Sequence, residues 1–144
     1  MARQQPSDCF ICRKQRGEEA APPGGYLYED AHFRVCHAPA TMAARGALLV
    51  ESRRHFLDFA EMTPEEAASY GPLLSRLYAA IKRAVGAERV YTLVTLEGAE
   101  HFHAWLIPRA PDATSRGVAL LAEEHSCAPA EAEAAAEAVR AALT

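Results

Sequence analysis

Thr63-Pro64-Glu65-Glu66 constrains the fold more than any other run in the chain. It joins a capping hydroxyl, a proline at the first helical position and a glutamate at the third, which together form a capping box. Leu73, Leu74, Leu77, Ile81 and Val85 then recur at helical spacing. The pattern predicts one long helix over about 64–85, with an apolar stripe facing a core. Gly86 follows, where a left-handed C-terminal cap is expected.

The flanking segments read as short strands. Tyr26-Leu27-Tyr28-Glu29-Asp30 and His32-Phe33-Arg34-Val35-Cys36 suggest a hairpin around a polar corner. Ala47 to Ser52 is a short apolar run ending in charge, expected to be a central strand. Val90–Leu96 and His101–Ile107 suggest a second hairpin, with a tight turn at 97–100 and a stop at Pro108. Val118 to Ala122 reads as a short strand or a helical turn, and Pro129 opens an Ala- and Glu-rich helix to about Leu143. The stretch from Arg13 to Gly25, like residues 1–8, reads as irregular, closed by a turn at Pro22-Pro23-Gly24-Gly25. The expected class is α+β: an antiparallel sheet of about five strands, one long helix packed on it and a C-terminal helix.

The 144 residues suit a single domain over 1–144 with a real core. Within it, 1–25 would form an N-terminal binding and loop segment, and 110–144 a C-terminal extension. A formal net charge of −4 disfavours nucleic acid and anionic membrane as partners, because no basic surplus exists to neutralise phosphates. No apolar stretch approaches the roughly 20 residues that cross a bilayer. The N-terminus lacks the apolar core of a signal peptide, so a cytoplasmic, reducing location is expected. There Cys9 and Cys12, in Cys9-Phe10-Ile11-Cys12, read as free thiols, a redox pair or metal ligands.

Side chains alternate across a strand, which puts His101, His103 and Trp105 on one face. Two protonated imidazoles there would repel each other, so the pair suggests a use for lone pairs: metal coordination, proton transfer or nucleophilic attack.

The run His101-Phe102-His103-Ala104-Trp105-Leu106-Ile107-Pro108-Arg109 resembles the histidine triad motif, with Trp105 at the third histidine position. Upstream features follow in the same order: the hairpin around Asp30, Gly46-Ala47-Leu48-Leu49-Val50, Arg53-Arg54-His55, and Phe59, Met62 and Thr63 ahead of the long helix. The resemblance covers roughly residues 9–109. It implies a homodimeric α+β protein whose middle histidine, here His103, attacks a nucleotidyl phosphate or phosphoramidate to give a nucleotidyl-histidine that water cleaves. It also implies a structural zinc site in which Cys9 and Cys12 are completed by His55 and His101. The alternative is a catalytically impaired, zinc-stabilised module that binds a nucleotide or a protein. Departures lie at Trp105, at Ala47 in place of a histidine, and in a shortened segment ahead of His101. Arg53, Arg54 and Arg109 are expected to be solvated strand-end residues.

Overall fold

The computed structural model describes residues 8–144. Their helices are α1 (Phe10–Gln15), α2 (Pro64–Val85), α3 (Val118–Leu121) and α4 (Pro129–Ala142). The strands are β1 (Tyr26–Glu29), β2 (Phe33–His37), β3 (Leu48–Ser52), β4 (Arg89–Leu93) and β5 (His103–Arg109). They form one antiparallel sheet in the order β1-β2-β3-β5-β4, so the α+β expectation holds. Residues 1–7, expected to be irregular, lie outside the described residues.

The capping box of α2 forms as its sequence demands. The Glu66 amide donates to Thr63 Oγ1 at 3.1 Å, and the Thr63 amide donates to Glu66 Oε1 at 2.8 Å. Gly86 closes the helix with a φ of 69°, a conformation that costs a residue without a Cβ little. Leu73, Leu77 and Ile81 bury against Val35, Val50, Ala104 and Leu106 of the sheet in the main core. Helix α4 adds Ala136 and Val139 to the same cluster.

Several sequence expectations are corrected. The stretch after Arg13 is not wholly irregular, because α1 runs to Gln15. Its cap is the Cys9 sulfur, which accepts the Cys12 amide at 3.3 Å in place of the usual oxygen. The connection ahead of β5 is no tight turn: the strands leave 94–102 between them. Phe102 turns away from β4 and donates its amide to the Phe56 carbonyl at 2.7 Å. β5 therefore begins at His103, and His101 precedes the strand.

Pro108 does not stop β5 either; it pairs with Val90. β3 flanks β5 no farther than Leu106, so Pro108 has one strand neighbour, a setting that tolerates a missing N–H. Arg109 is buried, not solvated, and Val118–Leu121 is a helical turn. Arg54 is held as well: its guanidinium meets Glu66 at 2.8 Å and lies 4.5 Å above the Phe56 ring.

Candidate metal centre and histidine cleft

Cys9, Cys12, His55 and His101 converge although they come from the α1 cap, α1 itself and two separate loops. Their ligand atoms all lie within 4.8 Å of one another. His101 Nδ1 is 3.4 Å from each cysteine sulfur, Cys12 Sγ is 3.5 Å from His55 Nδ1, and the two Nδ1 atoms are 3.2 Å apart. A tetrahedral zinc with two sulfur and two nitrogen ligands requires edges of roughly 3.3–3.8 Å. The four residues fit such an ion in donor type, number and spacing.

Local structure aims these groups. The His101 ring is 2.7 Å from the Ser52 carbonyl through Nε2. That carbonyl can only accept, so Nε2 carries the proton and the Nδ1 lone pair faces the sulfurs. The Ser52 hydroxyl donates to the Arg54 carbonyl at 2.7 Å, and the Arg54–Glu66 pair ties the neighbouring segment to the start of α2. His55 is thus held next in sequence to an anchored residue.

Burial sets the protonation of these groups. Burial first, and then the Cys9 thiol beside it, push the Cys12 thiol up to about 12. Burial likewise pushes His101 down to about 4. Without a cation the cluster therefore prefers neutral thiol and neutral imidazole. A bound divalent ion would reverse the preference at sulfur by stabilising thiolate.

His103 lies two residues beyond His101 and performs no part of that cluster. Its Nδ1 is 2.7 Å from the His101 carbonyl, which must be the acceptor. The proton is thereby placed on Nδ1 and the lone pair on Nε2. The ring lines a cleft of about 700 Å³, together with Trp105, Leu49, Lys14 and the exposed side chains of Phe10 and Met42.

One feature of this face was hidden in the sequence. Glu51, read there as the charged end of β3, is fully buried and pairs in register with His103. Lys14 Nζ meets its Oε2 at 2.6 Å, while the Tyr26 hydroxyl and Gln15 donate to Oε1 at 2.7 and 3.2 Å. The only signal available was the position of Glu51, two residues along from Leu49 and so on the same side of the strand.

His37 is likewise buried and has both ring nitrogens engaged. Nδ1 donates to the Ala38 carbonyl at 2.7 Å, and Nε2 accepts the Gly46 amide at 2.9 Å. Gly46 adopts a φ of 92°, and a Cβ there would lie 3.0 Å from Val85. The pair holds the loop that carries Pro39 and Met42 to the cleft.

No protein-family model matches the sequence, and no curated protein matches it. Solved structures do match the fold. A Hit-like protein involved in cell-cycle regulation from Bartonella henselae superposes with a TM-score of 0.74 at 17% identity, covering 97% of this chain and 99% of that one. A zinc-bound histidine triad family protein from Mycobacterium smegmatis gives 0.73 at 21% identity, covering 94% and 93%. A hypothetical histidine triad nucleotide-binding protein from Sulfolobus tokodaii gives 0.72 at 21%, covering 94% and 91%. At these identities the likeness establishes the fold, which is that of the histidine triad proteins.

Proposed function

We propose that this chain, as one domain of that fold, binds a nucleotidyl phosphate or phosphoramidate and transfers its nucleotidyl group through His103. The observation that carries the reading is the 2.7 Å hydrogen bond from His103 Nδ1 to the His101 carbonyl. It leaves Nε2 unprotonated at the margin of a cleft large enough for a small ligand. In the reaction Nε2 attacks phosphorus, a new N–P bond forms, and the P–O or P–N bond to the leaving group breaks. Positive charge developing on the ring is relieved through Nδ1 to the carbonyl. Water then cleaves the N–P bond and restores the imidazole. Trp105 excludes water from one wall and can donate from its indole N–H, but cannot shuttle a proton. The leaving group therefore takes its proton from solvent or carries it in, which suits an amine better than an alkoxide.

Cys9, Cys12, His55 and His101 would hold zinc as a closed structural site. Zinc there would supply folding energy and a fixed N-terminal segment rather than chemistry.

The test joins metal analysis to turnover. Wild type should carry about one zinc per chain and hydrolyse an adenylyl phosphoramidate. His103→Ala should retain the zinc and lose turnover. Unchanged turnover in that variant would remove His103 from the chemistry. Nucleotide binding without turnover by the wild-type protein would favour a non-catalytic module, a reading for which Trp105 at the third position of the motif speaks.

A further inference from the structure

A phosphoryl ligand brings negative charge, and the cleft must receive it. Among the described residues lining the cleft, Lys14 is the single lysine or arginine, whereas Glu19 and Glu51 both contribute carboxylates. Glu19 is paired with Arg13 at 2.9 Å. Glu51 is saturated, with Tyr26 and Gln15 on one oxygen and Lys14 on the other. It has no need of a ligand and is fully buried.

The Lys14 ammonium is placed differently. It has three N–H donors. One meets Glu51 at 2.6 Å and another meets Cys36 Sγ at 3.2 Å. The third has no protein acceptor among the described residues. The Tyr26 ring, 5.5 Å away, flanks the same group. Because Glu51 and His103 are cross-strand partners, the ammonium is anchored to the residue beside His103 on the same face of the sheet.

The anchoring is long-range in sequence. α1 is tethered at its start by Cys9 and Cys12 and at its end by Gln15. The Gln15 amide donates to the Ser52 carbonyl at 3.0 Å, and its own carbonyl accepts Arg34 at 2.9 Å. The helix thus delivers Lys14 into the sheet face with both ends fixed.

We infer that Lys14 is the residue that receives the anionic part of a ligand in the His103 cleft, with Glu51 as its positioning partner. The inference rests on the reading of the cleft as a nucleotidyl-phosphate site. A charge-assisted hydrogen bond from an ammonium held this way discriminates a phosphorylated ligand from its neutral counterpart by roughly tenfold or more. Once the lysine is gone, no lysine or arginine among the described lining residues remains to attract an anion.

The test uses the zinc-loaded full chain, with fluorescence of Trp105, the single tryptophan, as the report of occupancy. AMP and adenosine are titrated in parallel. Lys14→Met alone leaves Glu51 charged and buried and can fail to fold, so the decisive variant is Lys14→Met combined with Glu51→Leu. Wild type should prefer AMP by roughly tenfold or more, and the double variant should bind the two within about twofold of each other. If the preference survives in the double variant, or if wild type shows none while still binding adenosine, Lys14 is not the anion contact and the nucleotide reading stands. If neither probe changes Trp105 fluorescence, the nucleotide reading fails and takes the inference with it.

Discussion

On the helix-covered face of the sheet, Val35, Val50, Ala104 and Leu106 meet Leu73, Leu77 and Ile81 in one apolar cluster. On the opposite face the same strands present Cys36, Leu49, Glu51, His103 and Trp105. The first face is closed by α2 and α4, whose apolar stripes need a dry partner. The second is covered only in part, by α1 and the loop after β2, and keeps a cleft. Apolar burial is non-directional and tolerates exchange of one hydrocarbon for another. A buried carboxylate, a fixed tautomer and a convergent cluster of two thiols and two imidazoles tolerate almost none, since each orphaned group is costly. One face of the sheet is thus packed with hydrocarbon, whereas the other gathers the polar groups around the cleft.

The largest break in this division should come at the candidate metal site formed by Cys9, Cys12, His55 and His101. Cys12→Ser, or chelation of wild type, should lower stability by about 4 kcal/mol relative to protein in free zinc a thousandfold above its dissociation constant. The loss should concentrate on the cleft side, with amide exchange rising in α1 and staying slow in α2. Uniform exchange across both helices would mean that the two faces do not melt separately.

Lys14→Met should cost roughly 3–5 kcal/mol, because it strands the buried Glu51 charge. Adding Glu51→Leu should recover most of that, as urea unfolding would show. Failure of the second change to restore stability would mean that the pair is not a self-contained unit.

Substitution of apolar residues sharpens the contrast between the faces. Leu77→Ala, in the α2 stripe, should cost roughly 2–5 kcal/mol. Leu49→Ala should cost less, because part of the space it vacates adjoins the open cleft.

The smallest effect concerns pH. Burial holds His37 below the ordinary histidine range, so the folded state keeps it neutral. Where the unfolded chain binds a proton and the folded chain does not, stability rises with pH. His37 therefore contributes fully above about pH 6.5, and the contribution falls away as pH drops through the lowered folded value. His37→Gln, which can still accept from Gly46 but does not titrate, should show a shallower loss of melting temperature between pH 7 and 5 than wild type.

Much of the fold is legible in the sequence. The α2 boundaries, its cap and Gly86 followed from local chemistry, as did the first hairpin and the central place of β3. Local signals failed where a long-range partner decided the outcome. The α1 cap is a sulfur, the segment ahead of His103 is drawn toward Phe56, and Pro108 survives in a strand because one side lacks a neighbour. Among the site residues, Cys9, Cys12, His55 and His101 could be grouped through a resemblance, and the folded chain brings all four together. Lys14 and Glu51 could not be found that way, since a lysine in a short polar segment and a glutamate ending a strand look solvated one at a time.

Periodicity, capping and alternation are properties of neighbours along the chain, and they were enough to specify α2, the strands and the side of β5 on which His103 and Trp105 lie. Which polar groups would be taken out of water is a property of neighbours in space. It depended on α1 closing over β3, which brings together Lys14 and Glu51, 37 positions apart in the chain. Hydrophobic pattern propagates through local geometry, whereas a buried charge becomes affordable only once its partner has been brought to it, and that happens after the sheet and α1 have met.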